Sequence, residues 1–504
     1  MMNRFFTLVC MSMLSVIARA QIDEYAEFKR QQMEKFAGFS SVQQAKYDAY
    51  RKALNEQYAR FMEDSWMRLS AMPAVEIEEE PKIKPIVYDY KSTTKVEEGK
   101  IDSVLSSDAI FDFIPILLKK EVIQIPEPSP QAEPIAPIEG KLTPHEMVSV
   151  AFYGTMVSVP FPITSEWSIP LLDEKQLAKT WKALSASEYD ITVRGVLDAR
   201  EYLQLCDWGY MQMLQAICEQ KYGRTNEATF MQAYLMAQSG YKIRLAYNEK
   251  LYMLVASEYN ILSMFYFQVD GEKFYPINCS TRELAICKAS FEEEQKISLQ
   301  ITKQQNLQTN TIKTRELSSK DGINVNVVHN QNVVDFYSNY PSSYIDGNVY
   351  TRWAVYANTP LDSLLVASLY PILTAAIEGL SEKDAVNKLL NFVQTAFEYE
   401  YDDRVWGEDR AFFAEETLYY PYADCEDRAV LFSRLVRDII GLNVVLLYYP
   451  GHLAAAVEFN EEVLGDYLLY GNSKYIVCDP TYIGAPVGRT MPNMNNTEAQ
   501  IIIL

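Results

Sequence analysis

Two stretches of this chain share one pattern, and it limits the fold more than any other feature. "NEATFMQAYLMAQSGYKIRLAYN" (226–248) and "DRAVLFSRLVRDIIGLNVVLLYY" (427–449) each run from an apolar helix through a glycine, Gly240 or Gly441, into a β-run. Each also follows a helix of similar stamp, "REYLQLCDWGYMQMLQAI" and "KDAVNKLLNFVQTAFEY". A helix that stops on glycine and turns into a strand builds a helix-on-sheet layer. One reading is two copies of a single module; the other is generic helix–Gly–strand patterning. Aligned on the glycines, Arg224 stands opposite Cys425 and Leu251 opposite His452, so the first copy offers neither thiol nor imidazole there.

The chain has 504 residues, a length that suggests roughly three domains. Its net charge of −21 and the lack of a basic run argue against a broad nucleic-acid face. At the N-terminus, Arg4 precedes the apolar run "FFTLVCMSMLSVI" and the small-residue site "ARA" before Gln21. That is the pattern of a cleaved export signal over 1–20 and predicts a periplasmic or secreted protein. The run is short of the roughly 20 residues that span a bilayer, so no stable membrane insertion is expected after cleavage.

Residues 21–70 read as an amphipathic helical segment, with Tyr47, Tyr50, Leu54, Tyr58 and Phe61 on its apolar stripe. It is a solvated arm or a surface for a helical partner. Residues 71–144 are rich in Pro and Glu and read as a linker. Residues 145–291 return to globular character, 292–349 read as a β-rich connecting segment, and 350–504 form the last globular unit.

Six cysteines follow the leader: 206, 218, 279, 287, 425 and 478. "EYLQLCDWGYMQMLQAICEQ" reads as one helix, which would hold Cys206 and Cys218 about 18 Å apart. "STRE" reads as a capping box that starts a helix between Cys279 and Cys287. Neither pair then suits a disulfide, and a free thiol in an exported chain calls for burial or catalysis.

One cysteine has a setting for chemistry. In "YYPYADCEDRAVLF", Asp424 is a candidate N-cap and Asp427 stands three residues on. Cys425 continues the stripe Ala429, Phe432, Val436, Ile439, Ile440, so its sulfur faces the core at the helix mouth. A helix N-terminus favours a thiolate. The flanking acids Asp424, Glu426 and Asp427 are expected to cap the helix or to face solvent. His452 follows the turn "YPG" and opens the strand "HLAAAVEF"; His145 and His329 read as surface residues. Asp479 closes the strand "SKYIVC", with Pro480 behind it. Antiparallel pairing places the start of one strand beside the end of the other, so Cys425, His452 and Asp479 can converge.

With those residues in place, "DCEDRAVLFSRLVRDIIGL", "YPGHLAAAVEF" and "YIVCDPTYIGAPVG" resemble the transglutaminase-like family, a papain-like thiol superfamily, over about residues 350–490. The resemblance implies an α+β fold: a papain/transglutaminase-like core of helices packed on an antiparallel sheet. A degenerate second copy and an N-terminal helical arm would complete the chain. It implies Cys425 as nucleophile, His452 as general base and acid, and Asp479 as the orienting carboxylate. Where the family often carries a tryptophan soon after the histidine, this chain has "HLAAAV".

The expected function is an exported peptidase, amidase or acyl transferase acting on peptide or protein amides. The alternative is a non-catalytic binding or scaffold protein of the cell envelope with the same fold. Oxyanion donors are sought at the Cys425 backbone N–H and among Tyr419, Tyr420 and Tyr422. No cofactor and no metal is expected, and 401–416, "YDDRVWGEDRAFFAEE", reads as a solvated acidic loop flanking the cleft.

Overall fold

The structure is a computed structural model that describes residues 41–64, 66–75, 83–88, 122–138, 144–163, 167–186, 188–345, 347–407, 409–495 and 498–504. The leader and the segment 21–40 lie outside the described residues. The fold is mixed α+β with antiparallel sheets. It divides into two units: the first takes in 1–76, 128–311 and 339–346, and the second 77–127, 312–338 and 347–504.

In the first unit, helix α1 (Ser41–Met62) leads into strand β1 (Met67–Ser70). The hairpin β3 (His145–Phe152) and β4 (Thr155–Pro162) follows, then α2 (Glu174–Ser185), α3 (Asp190–Leu203), α4 (Asp207–Tyr222) and α5 (Asn226–Gln238). The sheet is built from β5 (Ile243–Tyr247), β6 (Leu251–Ala256), β8 (Phe267–Val269), β9 (Glu272–Pro276) and β10 (Glu283–Ile286), with β1 at one edge. Its order is β1-β10-β5-β6-β9-β8. The two-residue strands β7 (Asn260–Ile261) and β13 (Ser343–Tyr344) pair separately.

The sequence misjudges several elements here, each for a physical reason. The helix containing Cys206 breaks: Gln204 adopts φ +52, and Cys206 is the N-cap of α4. "STRE" starts no helix, because 283–286 is drawn into the sheet as β10 between β1 and β5. All six cysteines are unbridged. Helix α1 buries Tyr58 of the predicted aromatic stripe but turns the rest of its inward face one residue on from Tyr50 and Phe61. Tyr50 and Phe61 are exposed, while Arg51, Asn55, Tyr58 and Met62 are buried. Asn55 accepts from Trp181 Nε1 at 2.8 Å, and Tyr58 stacks on Trp181 and Phe291. A polar residue with a buried partner outcompetes an apolar one without a pocket. Within the supposed linker, Ala132, Ala136 and Ile138 are buried in this unit.

The second unit opens with β2 (Ile123–Gln124), the hairpin β11 (Ile312–Ser318) and β12 (Asn324–Asn330), and α6 (Gln331–Ser338). The turn signal "KDG" lies at the tip of that hairpin. Helices α7 (Arg352–Asn358), α8 (Ser363–Ile377), α9 (Glu382–Thr395), α10 (Asp402–Val405), α11 (Ala414–Tyr419) and α12 (Cys425–Leu435) follow. A π-helical turn, Val436–Ile440, extends α12 to Gly441 at φ +80. The sheet comprises β14 (Val444–Tyr449), β15 (His452–Glu458), β16 (Tyr467–Tyr470), β17 (Ser473–Cys478) and β18 (Gln500–Ile503). Its order from the β2 edge is β2-β18-β14-β15-β17-β16.

Helix α12 packs on β15, where Ala455, on the face away from Ala454 and Ala456, lets helix and strand approach closely. The opposite sheet face closes over Val445, Leu447, Leu468, Val477 and Ile501. The predicted stripe holds for Ala429, Phe432 and Val436, which are buried. Ile439 and Ile440 are only half-buried. The π turn inserts a residue and rotates them off that face. No helix among the described residues is long and apolar enough to cross a membrane.

Candidate active site

Cys425 is the first residue of α12. Asp424 and Asp427 form the expected reciprocal capping box in front of it. His452 is the first residue of β15. Pro450 and Gly451, the latter at φ +75, make the two-residue turn that starts the strand there. Asp479 follows β17, which pairs antiparallel with β15 through Ala455 and Cys478. That register brings His452 and Asp479 together: Nε2 lies 2.9 Å from Oδ2, with both side chains buried.

The carboxylate is held on its other side as well. Asp479 Oδ1 accepts from the backbone N–H groups of Thr481 at 2.9 Å and Tyr482 at 3.2 Å. Because Nε2 is taken by Asp479, Nδ1 is the free ring atom; it is buried and has no hydrogen-bond partner among the described residues. The backbone N–H of Leu453, the residue after His452, lies near enough to the Cys425 sulfur to favour its thiolate, though less than burial opposes it.

The thiol itself is not poised as a thiolate. Burial first, then the carboxylates of Glu426 and Asp424, pushes it well above the ordinary thiol range. Its S–H donates to Glu426 Oε2 at 3.0 Å. This corrects two expectations. The helix N-terminus does not lower this thiol, and the flanking acids do not face solvent. Asp424, Glu426 and Asp427 are all buried. Removing the Glu426 charge should therefore help ionisation. Glu426→Gln is expected to move the pH midpoint of Cys425 alkylation downward by about 1 unit or more, read by mass spectrometry across a pH series. An unchanged or higher midpoint would show that this carboxylate does not control the thiol.

These acids form one cluster. Ligating atoms of Asp402, Asp424 and Asp427 lie within 4.8 Å of one another, as do those of Asp424, Cys425 and Glu426, and of Asp402, Asp409 and Glu426. Such oxygens could hold a hard cation or share protons. Asp424 and Asp427 are both pushed well above the usual carboxylate range, Asp424 by burial and then Glu426, Asp427 by burial and then Asp402. The segment 401–416 is thus not a solvated loop throughout, since Asp402, Glu415 and Glu416 are buried.

The same burial sets a pH dependence. Asp362 is pushed up to about 6 by burial and Glu415, and Asp402 to about 8 by burial and Glu426. Glu416 is pushed to about 7 by burial, against the pull of Arg410. Each folded value lies above the unfolded value near 4, so this stability is complete below about pH 4 and is lost as pH rises through 6 to 8. The second unit's melting temperature should fall between about pH 5 and pH 8 in calorimetry. A flat or rising curve would refute the buried carboxyl cluster.

Several supporting residues escaped the sequence reading. Gln394, at the end of α9, donates through Nε2 to the carbonyls of Asp479 at 3.1 Å, Tyr482 at 2.8 Å and Ala485 at 3.0 Å. Its Oε1 accepts from Gly484 N–H at 3.0 Å. Arg428, almost fully buried, donates to the carbonyls of Ala423, Gln394 and Phe397 at 3.2, 3.1 and 3.0 Å. Both are polar residues inside apolar helical faces, which was the available signal. Among the tyrosines, Tyr419 and Tyr420 bond Gln331 and Ser338, and Tyr422 is exposed. The phenol beside the cysteine is Tyr399. Burial, then Cys425 and Asp424, raise it far above its usual value.

His145 is exposed, as expected, but His329 is not a surface residue. It lies on β12, buried, with Nδ1 3.6 Å from Glu415 Oε1. No family model and no curated protein matches the chain.

Proposed function

We propose that this chain is an exported thiol enzyme of transglutaminase-like, papain-like build that cleaves or transfers peptide or protein amides. The observation that carries the reading is the buried His452–Asp479 pair, with Nδ1 unpartnered beside the strand residue whose N–H reaches the Cys425 sulfur. In this mechanism Nδ1 removes the thiol proton and sulfur attacks the amide carbon. His452 then returns the proton to the departing amine. The thioester left on Cys425 is resolved by water or by an acceptor amine, and His452 takes the acceptor's proton. Asp479 keeps the ring in the tautomer that presents Nδ1. The Cys425 backbone N–H, in the first turn of α12, is free of the helix's own ladder and suits the oxyanion.

The competing reading is a binding or scaffold protein of the cell envelope. The high thiol pKa and the S–H bond to Glu426 favour it. Iodoacetamide separates the two. A catalytic Cys425 should be labelled at neutral pH, and His452→Ala should slow labelling by about 10-fold or more. A thiol that is inert, or indifferent to His452, would leave only the binding reading. Asp479→Asn should cost activity by about 10²–10⁴-fold, less than loss of Cys425, because the nucleophile survives. An undiminished rate in that variant would remove Asp479 from the mechanism.

A further inference from the structure

We infer that the first unit carries a peptide-binding pocket at the position that, in the second unit's sheet, belongs to Cys425, His452 and Asp479. The two six-stranded sheets have the same strand order, β1-β10-β5-β6-β9-β8 against β2-β18-β14-β15-β17-β16. In each, a helix ends at a glycine of positive φ, Gly240 or Gly441, and enters the third strand of that order. Counted from the helix N-cap, the residue matching Cys425 is Asn226; counted from the glycine, it is Arg224. The two counts differ by two residues, of which the π turn in the second unit's helix supplies one. Asn226 also meets the start of the neighbouring strand, its Oδ1 accepting from the Leu251 backbone N–H at 3.0 Å, one residue earlier in register than the Leu453 N–H beside Cys425. Leu251 opens β6 as His452 opens β15. Leu254 pairs with Pro276 as Ala455 pairs with Cys478, which puts Ile277 in the place of Asp479.

A cavity of about 650 Å³ lies there, and Asn226, Leu251 and Ile277 all line it. The pocket has lost nucleophile and base together, so it binds without reacting. Its chemistry selects the ligand. Glu219 and Glu227 are balanced by Arg224 and Lys250, and Glu219 is paired to Arg224 at 3.2 Å. A phosphate or polyanion finds no net counter-charge. Gln215, Gln232, Asn226 and Asn278 supply carboxamides; Gln215 donates to Glu219 at 2.7 Å and Asn226 Oδ1 accepts from Leu251, which leaves the Gln215 oxygen and the Asn226 NH₂ to match a peptide group. Gln232 gives its NH₂ to the Met211 carbonyl at 3.1 Å, which leaves Oε1 for a ligand N–H. Leu251, Met253 and Ile277 add apolar surface. An uncharged stretch of polypeptide with small apolar side chains fits this lining.

The test uses the intact protein and a pool of N-acetylated, C-amidated tetrapeptides, with binding read by mass spectrometry and hydrogen exchange. Uncharged peptides should bind and protect 226–232 and 250–253. Thr229→Trp, which fills the pocket from α5, should weaken binding at least 10-fold and leave iodoacetamide kinetics at Cys425 unchanged. Lys250→Glu, at an exposed turn, should shift retention toward lysine-containing peptides. The inference is overturned by failure to retain any peptide, by binding that survives Thr229→Trp, or by protection at 425–430 instead. Displacement of the bound peptide by chitotetraose would also overturn it. Loss of peptide binding at 226–232 leaves the chemistry of Cys425 untouched, and protection at 425–430 would move the peptide to the thiol site, so the two readings stand or fall separately.

Discussion

On the proposed thiol-enzyme reading, Cys425→Ser is expected to abolish amide cleavage and transfer, lowering the rate by about 10³-fold or more, while the melting temperature moves by no more than about 2 °C. The loss is large because a serine hydroxyl has a much higher pKa than a thiol, and this site already opposes ionisation. Burial and two carboxylates hold even the thiol in its neutral form. The stability cost is small because the serine hydroxyl is close in size to the thiol and can keep the bond to Glu426 at the first turn of α12. The check is amine release from a denatured protein substrate by wild type and variant, with calorimetry on both. Retained turnover would remove Cys425 from the mechanism.

Arg428→Ala has the largest expected effect on stability. The guanidinium is buried and bonds three carbonyls, which tie the N-terminus of α12 to the end of α9 and the loop after it. Its positive charge also faces Asp424 and Asp427. Truncation strands buried acceptors at about 1–3 kcal/mol each and leaves acids without a counter-charge, for a total near 3–5 kcal/mol. For a unit of this size that lowers the melting temperature by roughly 6–20 °C. Arg428→Lys should fall between, since one ammonium cannot span three acceptors in a fork. A drop of under about 2 °C for the alanine variant would show that these bonds do not hold the helix mouth.

The backbone placement of the site was legible because it is punctuated locally. "YPG" sets the start of β15, "CDP" the end of β17, and the Asp424–Asp427 pair the start of α12. Antiparallel pairing then brings His452 to Asp479 from strand period alone. What was not legible depends on neighbours distant in sequence. Glu426 reads the same in sequence whether it faces water or a pocket, and only tertiary packing places it against the thiol. His329 reads as polar, yet β12 buries it beside Glu415. Gln204 gave no sign that its αL conformation would split the helix ahead of Cys206. "STRE" has sound capping chemistry, but pairing with β1 and β5 recruits the following residues to a sheet. Local propensity yields where a sheet edge offers a full ladder of hydrogen bonds.

The central claim is that the Nδ1 atom of His452 faces the Cys425 sulfur. The chain has three histidines, so nitrogen NMR on protein labelled at histidine resolves each ring. Carboxamidomethylation of Cys425 should shift the His452 Nδ1 resonance and leave its Nε2 proton bonded to Asp479, with His145 unchanged. A modified Cys425 that leaves the His452 ring signals where they were would contradict the account.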